Sequence, residues 1–405
     1  MTAGQEAFLR ILGGALCPGA PTPEPPPDLL PEVLSLAVQQ HLLPLMAERL
    51  FPAGAPAEGA MGAYRQMALG QALRQTERSV EFRALYRDLR QAGFHPVVLK
   101  GELCSALYPY AHHRTCVDND LYLSRAELGR CHRVLLDLGL RADRPEEDLS
   151  RAGEITYRDR EDRLHIELHL ELFETGPRAP MDLNVFFANA WDHVTEIGDF
   201  LSLAPHDHLL YLLLHAYKHF FHSGVGLRQT CDIGLWAREY GGEIDWERLL
   251  AQCRAVRGEG FAAAQFRIAE EYLGLSLPLP GLWREIPGPP EPLLSDMLDG
   301  GLFGAESLTR LHTATITREA IRKDRTGSGP GLLGSLLPVR EDMARRYPYV
   351  RDHPALLPAA WCQRLIRYAR ELRSSGSSSA GGSLRLAKAR VELLRQYGII
   401  RRAAK

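Results

Sequence analysis

The chain has 405 residues, a formal net charge of −2 from 48 basic and 50 acidic side chains, and 45% hydrophobic residues. This is the composition of an ordinary globular protein, long enough for about two or three domains. The balanced charge excludes a global electrostatic attraction to nucleic acid or membranes. The sequence lacks both an uncharged apolar run of about eighteen residues and a basic, apolar N-terminal signal, so it predicts no transmembrane segment.

Seven cysteines are scattered singly along the chain, and none forms a Cys-x-x-Cys pair. An odd, dispersed set is typical of a reducing compartment, so we expect a cytoplasmic protein. The same pattern argues against a disulfide framework and a zinc knuckle.

Residues 1–92 are predicted to form an N-terminal helical segment that packs on the core. Apolar positions at helical spacing run through residues 29–50, and Pro44 predicts a division into two short helices there. A long helix is expected from about residue 63 to residue 91, with Gly93 as its C-terminal stop.

Residues 93–203 change to a mixed pattern. Strands are predicted at 95–101, 118–124, 154–158 and 164–170, with helical turns at 103–108 and an amphipathic helix at 125–138. This alternation predicts an α+β fold with a small mixed β-sheet.

The chain from residue 204 is predicted to be mainly helical, with the clearest helices at 206–223 and 226–240. Residues 373–383 are rich in serine and glycine and predict a flexible linker, followed by a basic helix at 384–405. The basic cluster at this end is interpreted first as a solvated face, with contact to RNA or an anionic membrane as the alternative.

The segment Asp118-Asn119-Asp120 lies on a predicted strand, where residues two apart face the same side. Two adjacent carboxylates repel unless a cation lies between them, and oxygen ligands suit Mg²⁺ or Mn²⁺. A third acid, Glu167, stands inside an apolar strand, where it needs a partner or a metal. We therefore predict a metal site formed by these three acids, against the alternative of solvated strand or loop acids.

Two neighbours share the predicted face of these acids. His169 follows Glu167 by two residues and could bind substrate or metal, with a structural histidine as the alternative. Tyr122 follows Asp120 by two residues and could stack on a base or pack against the protein.

The helix at 206–223 carries His215 and His219 one turn apart, with Lys218 beside them. It lacks the glutamate of a zinc-protease motif, and its face suits a triphosphate or an anionic acceptor. Asp232, buried by pattern, is expected to pair with Lys218 or His215. His219 and Asp232 are possible substrate-binding residues, and a buried polar network that joins two helices is the alternative to a ligand role.

Several segments resemble the bacterial nucleotidyltransferase family proteins, a poorly characterised branch of the polymerase-β-like superfamily, over roughly residues 30 to 370. They are Leu99-Lys100-Gly101, Leu107-Tyr108-Pro109, Arg114 to Leu123 with its Asp118-Asn119-Asp120, Ile166-Glu167-Leu168-His169, Leu213 to His219, Leu227 to Ile233 and the stretch from Pro338 to Arg367.

The resemblance implies a nucleotide site. Gly101 would let the backbone approach the triphosphate, and Lys100 would neutralise a phosphate. Arg114 would contact phosphate or fix the loop before Asp118. The histidine and lysine of the helix, His215 and Lys218, would complete the nucleotide-binding set.

The acids would hold the metal, with Glu167 also acting as base for the acceptor hydroxyl. The implied enzyme is a metal-dependent nucleotidyltransferase that uses a nucleoside triphosphate such as ATP and releases pyrophosphate. Its acceptor would be a small molecule, a peptide or a protein side chain, with an RNA end less favoured. The helical region at 204–372 would shape the acceptor site.

The sequence departs from the family pattern at Glu102, where glycine or serine is usual, at Asn119, where an apolar residue is usual, and at Glu167, where aspartate is commoner. These differences support an alternative: a catalytically inactive nucleotide-binding or scaffolding module of the same fold.

Overall fold

The computed structural model describes residues 1–19, 24–51, 59–143, 149, 152–175, 181–222, 224–300, 321, 324, 340, 343–344, 347–374 and 380–401. The chain divides into two compact units. The first comprises residues 1–217 and 225–302, and the second comprises residues 218–224 and 303–405.

Within the described residues, seven strands of the first unit form one mixed sheet in the order β3-β4-β5-β2-β1-β7-β6. Strand β2 runs parallel to β5, and β1 runs parallel to β7, whereas the other neighbours are antiparallel. The strands are β1 (Val97–Val98), β2 (Asn119–Tyr122), β3 (Arg141–Ala142), β4 (Glu154–Arg158), β5 (His165–His169), β6 (Val194–Ile197) and β7 (Phe200–Leu203).

Helices precede and follow the strands in the chain order that the sequence predicts, which confirms the α+β fold. Those of the first unit are α1 (Ala3–Leu16), α2 (Leu30–Gln39), α3 (Leu43–Leu50), α4 (Gly59–Gln91), α5 (Glu102–Ser105), α6 (Leu128–Asp137), α7 (Pro205–His222, whose last five residues belong to the second unit), α8 (Leu227–Tyr240), α9 (Trp246–Ala255), α10 (Glu259–Arg267), α11 (Gly281–Arg284) and α12 (Pro290–Gly300).

The second unit contains helices Tyr349–Asp352, Leu357–Ser374 and Ala380–Gln396. The predicted linker at 373–383 therefore overlaps the ends of two helices, while residues 375–379 of it lie outside the described residues. Among the helices described, none has the length and apolar character needed to cross a membrane.

The structure confirms the predicted division of residues 29–50 and the predicted end of the long helix. The apolar stretch at 29–50 divides into α2 and α3, and Pro44 stands in the first turn of α3, where its missing N–H costs nothing. Helix α4 ends at Gln91, and Gly93 follows with φ of +83°, the left-handed conformation that closes a helix.

The sheet is larger than predicted because the hairpin of β6 and β7 was missed. Its two strands, Val-Thr-Glu-Ile and Phe-Leu-Ser-Leu, lie on either side of the two-residue loop Gly198-Asp199, and Gly198 has φ of +58°. A glycine–aspartate pair between two short runs that contain β-branched and aromatic residues is a hairpin signal, so the sequence did contain the information. The short β3 was also missed.

The two faces of the central strands differ in chemistry. Leu121, Leu168 and Ile155 are fully buried neighbours on β2, β5 and β4. Because side chains alternate along a strand, the intervening residues Asp120 and Glu167 face the opposite side. The apolar face builds the core, and the polar face remains for a site.

A buried ion pair ties α8 to the loop before β2, and it corrects the predicted partners of Asp232. Arg114 donates from Nε and Nη2 to the two carboxylate oxygens of Asp232, each at 2.7 Å. Tyr108 donates its hydroxyl to the same carboxylate at 2.7 Å. These bonds satisfy Asp232, so the expected pairing with Lys218 or His215 is wrong. The buried network joins α8 to a loop rather than to a second helix, and a substrate-binding role of Asp232 stays a prediction.

We predict that Asp232→Ala lowers the free energy of unfolding by about 3–5 kcal/mol, because it leaves the Arg114 guanidinium buried without its counter-ion. The double variant Arg114→Met with Asp232→Leu removes both charges and should lose much less. Urea denaturation of both proteins tests this. Equal losses in the single and double variants would show that the ion pair is not the source of the effect.

Candidate metal and nucleotide site

The connection between β1 and β2 places a lysine beside the predicted acids. These strands are antiparallel, so the residues that follow β1 lie next to those that begin β2. The backbone N–H of Leu99 donates to the carbonyl of Asp120 at 3.1 Å. Lys100, the next residue, extends its ammonium group to Oδ1 of Asp120 at 3.0 Å.

The pairing of β2, β5 and β4 gathers four polar side chains on one face. Asp120 lies directly opposite Glu167 in the parallel ladder of β2 and β5. His169 is two residues further along β5 on the same face, and Glu154 of β4 lies opposite it. Asp120, Glu167 and His169 offer ligand atoms that all lie within 4.8 Å of one another.

Asp120 is the buried centre of this group, with its side chain 2% exposed. Burial alone would raise the pKa of Asp120, but the charge of Lys100 and the hydrogen bond from Nε2 of His169, at 3.1 Å, outweigh it and lower that pKa. The other oxygen, Oδ2, is buried and has no hydrogen-bond partner among the described residues. This carboxylate is therefore ionised and has one oxygen left to bind a cation.

Glu167 has the opposite electrostatic character. Burial and the negative charges of Asp120, Asp118 and Glu154 raise the pKa of Glu167 to about 7. Two carboxyl groups that are direct neighbours on adjacent strands thus have widely separated pKa values. The arrangement is typical of sites where one carboxylate binds charge and the other exchanges a proton.

Lys100 has a second partner on α7. Its Nζ lies 3.1 Å from Nε2 of His215, the residue that the sequence analysis placed in the nucleotide set. Burial alone would lower the pKa of Lys100, but the charges of Asp120 and Asp118 outweigh it, so that pKa is raised well above its ordinary value. The lysine is a fixed cation at the base of the site.

The predicted trio of acids is only partly reproduced. Asp118 is half-buried one residue before β2 and, among the described residues, does not join the group of possible metal ligands. The charge of Asp118 still raises the pKa of Glu167, so Asp118 is close enough to act electrostatically on that carboxyl group. His169 takes the third place because the pleat of β5 puts it on the same face as Glu167.

The loop that leads to Asp118 is held from two sides. The backbone N–H of Cys116 donates to Gln75 on α4 at 2.7 Å. Arg114, predicted to contact phosphate or fix this loop, is 4% exposed and donates from Nη1 to the Gly101 carbonyl at 3.3 Å in addition to its bonds with Asp232. Its observed contacts support the second of the two predicted roles.

The turn at Gly101 requires glycine. Its φ of +53° is strained for other residues, and a Cβ there would approach Oδ1 of Asn119 to 3.1 Å. The next residue, Glu102, is buried and accepts hydrogen bonds from Ser79 at 2.6 Å and Arg83 at 2.9 Å on α4. The unusual glutamate at this turn therefore anchors it to the long helix.

The remaining predicted residues lie outside this group. The ring of Tyr122 stacks on Trp191 with centroids 4.6 Å apart, which agrees with the packing alternative, and stacking on a base stays a prediction. Lys218 and His219 fall in the second unit, and their predicted binding roles stay predictions.

Two residues of the site were not predicted. Glu154 opens β4, and Oε2 of this side chain lies 3.5 Å from Nδ1 of His169. Tyr211 on α7 is fully buried, and its hydroxyl has no hydrogen-bond partner among the described residues. Burial raises the pKa of Tyr211, with the charges of Lys100 and Asp120 nearby. Only the strand register reveals Glu154, and no motif indicates Tyr211.

The donors present fit a divalent cation. Two carboxylates and an imidazole converge, and one oxygen of the buried Asp120 lacks a partner among the residues described. An orphaned oxygen in a buried, ionised carboxylate is costly unless a cation or donor satisfies it. Asp120, Glu167 and His169 are therefore the residues that would hold the metal.

Residues 28–274 match the family described as uncharacterised nucleotidyltransferases. The match covers more than half of the chain and includes every member of the metal group, so the chain belongs to this family. No curated protein and no solved structure gives a significant match.

We predict that Glu167→Gln stabilises the metal-free protein at alkaline pH. A carboxyl whose pKa rises from 4.5 to about 7 on folding holds its proton more tightly when folded, so its contribution to stability is lost as pH rises through about 7. The variant should gain about 3 kcal/mol in the free energy of unfolding near pH 8 and almost nothing near pH 4.5.

Urea denaturation in the presence of a chelator measures this difference. Glu161→Gln, an exposed acid in the turn between β4 and β5, is the matched control and should show no such pH dependence. An equal gain at both pH values would contradict the raised pKa of Glu167.

Proposed function

We infer, from membership of the uncharacterised nucleotidyltransferase family and from the site around Asp120, that the protein transfers a nucleoside monophosphate from a nucleoside triphosphate to a hydroxyl-bearing acceptor. Pyrophosphate would be released. The observation that carries this proposal is the convergence of a buried ionised carboxylate, a second carboxyl with a pKa near neutrality and a lysine within a few ångströms. These are the groups that such a transfer needs.

Glu167 is the proposed base. The acceptor oxygen attacks the α-phosphorus, the new P–O bond forms as the bond to the pyrophosphate oxygen breaks, and the hydroxyl proton passes to the Glu167 carboxylate. Without the cation the pKa of Glu167 is raised to about 7, so this carboxylate accepts a proton readily; a bound cation would lower that pKa and keep the group ionised at neutral pH, ready to act as base. Its side chain is 29% exposed, so an acceptor can reach it from solvent.

Asp120 and Lys100 are proposed to hold the charges that bind the metal ion and the triphosphate. A divalent cation bound at Asp120, Glu167 and His169 would supply Lewis-acid neutralisation of the triphosphate and of the leaving pyrophosphate. The Lys100 ammonium, held by Asp120 at 3.0 Å and His215 at 3.1 Å, is proposed to attract the triphosphate to this end of the site. This lysine would act as a point charge on the triphosphate.

Gly101 and Arg114 are proposed to shape the triphosphate turn. The glycine adopts the positive φ that this turn needs, and Arg114 donates to the carbonyl of that glycine. Asp118 is half-buried and would contribute its charge near the cation. The identity of the acceptor, the preferred nucleotide and a polymerase-β-like ancestry follow from none of these contacts and stay predictions.

One observation favours the second candidate, a nucleotide-binding module without turnover. The ammonium group of Lys100 already neutralises Asp120, and Asp118 lies outside the ligand group of the described residues. A protein in which the lysine permanently replaced the cation would bind nucleotide but transfer nothing.

We predict that the protein labels an acceptor when it is incubated with α-labelled nucleoside triphosphates, Mg²⁺ or Mn²⁺ and a cell extract. Asp120→Asn should abolish the labelling, and Glu167→Gln should slow it by about 10²–10⁴-fold, the usual contribution of a general base. Asp137→Asn, which removes an exposed acid at the end of α6, is the matched control and should label normally.

The outcomes separate the two candidates. Labelling that survives Asp120→Asn would refute the proposed site. Nucleotide binding by equilibrium dialysis, without transfer across a broad panel of extracts and acceptors, would establish the module instead. Comparison of Asp118→Asn with His169→Asn then shows which of the two residues transfer depends on more strongly.

A further inference from the structure

The third possible metal ligand, His169, offers a ring nitrogen, and the carboxylate of Glu154 lies near its other ring nitrogen. His169 is 8% exposed, with Nε2 facing Asp120 Oδ1 at 3.1 Å and Glu167 Oε2 at 3.9 Å. Its other nitrogen, Nδ1, faces Oε2 of Glu154 at 3.5 Å. The imidazole thus lies between the carboxyl groups of Asp120 and Glu167 on one side and that of Glu154 on the other.

Building on the proposed function, we propose that Glu154 and His169 make this a mixed nitrogen–oxygen metal site that prefers Mn²⁺, or a related divalent transition ion, to Mg²⁺. His169 is the nitrogen ligand. Glu154 is a positioning residue that acts through the histidine.

The separations of the ligand atoms support a single ion. Metal–ligand bonds of about 2.1 Å place two ligands of one ion roughly 3 to 4 Å apart. The distances from Nε2 to the oxygens of Asp120 and Glu167, 3.1 and 3.9 Å, lie in this range. The unpartnered Oδ2 of Asp120 adds an oxygen that nothing else in the described part of the chain uses.

Glu154 is placed to favour binding through Nε2. Without a cation, Nε2 hydrogen-bonds to Oδ1 of Asp120 at 3.1 Å; a cation that replaces this proton would bind the lone pair of Nε2, and the carboxylate 3.5 Å from Nδ1 would favour the tautomer that carries the proton there. The antiparallel register fixes this geometry, since Glu154 is the direct partner of His169 in the ladder of β4 and β5. A carboxylate behind a ligating histidine also raises its basicity as a ligand.

The chemical type of the ligand atoms determines which metal ion the site prefers. Mg²⁺ demands oxygen ligands and retains its water shell, whereas imidazole binds transition ions more strongly. A site of two carboxylates alone would discriminate weakly between Mg²⁺ and Mn²⁺. The buried imidazole shifts the balance towards the transition ion.

The test measures metal binding rather than transfer. The full-length protein is titrated with Mn²⁺ and with Mg²⁺ by calorimetry, alone and with a non-hydrolysable nucleoside triphosphate, and bound Mn²⁺ is examined by pulsed electron paramagnetic resonance for coupling to ¹⁴N. We expect Mn²⁺ to bind at least about 10-fold more tightly than Mg²⁺, with nitrogen coupling.

The variants assign the roles. His169→Asn should remove the nitrogen coupling and the preference for Mn²⁺. Glu154→Gln should weaken Mn²⁺ binding by about 10-fold or more while it changes Mg²⁺ binding little, a selectivity that a merely structural residue would not show. Matched controls are Glu161→Gln, for the loss of one negative charge, and His112→Asn, for an exposed histidine. Both should retain the coupling.

Bound Mn²⁺ without ¹⁴N coupling, coupling that survives His169→Asn, equal affinity for both ions, or no metal binding with or without nucleotide would each overturn the proposal. These results are independent of the labelling assay. A protein that binds Mn²⁺ through His169 and transfers nothing would support this inference while contradicting the proposed reaction.

Discussion

The parallel pairing of β2 with β5 is the constraint on which the rest of the site depends. It places Asp120 directly opposite Glu167, and the alternation of each strand carries His169 to the same face. A slip of one residue would exchange this polar row for Leu121 and Leu168, which are fully buried in the core. The apolar face therefore specifies the register, and the register specifies the chemistry.

Within that frame, position decides what each acid can do. Asp120 lies deep, next to a lysine, and its pKa is lowered. Glu167 lies one strand away and nearer to solvent, and its pKa is raised to about 7. The ammonium group of Lys100, 3.0 Å from Asp120, lowers the pKa of that carboxylate, whereas burial and the charges of Asp120 and Asp118 raise the pKa of Glu167. Together these interactions separate the two carboxyl groups into a charge-binding and a proton-accepting member.

The sequence was sufficient for the strands that carry the acids, because alternation and local turn signals identify β2, β4 and β5. It was not sufficient for contacts set by register or by distant helices. Glu154 lies behind His169 only because of the antiparallel ladder of β4 and β5, and the partner of Asp232 comes from a loop more than a hundred residues earlier. The contact between Lys100 and Asp120 depends on the antiparallel pairing of β1 with β2, so the sequence pattern did not reveal it.

The anchoring of Glu102 bears on where the catalytic core begins. Composition suggested a boundary after residue 92, yet the buried carboxylate of Glu102 takes its hydrogen bonds from Ser79 and Arg83 on α4. A fragment cut at that boundary would retain a buried acid stripped of its donors, immediately beside the glycine turn. Helix α4 is thus an integral part of the core. A chimera of two relatives would keep these hydrogen bonds only if it took the helix and the turn from the same parent.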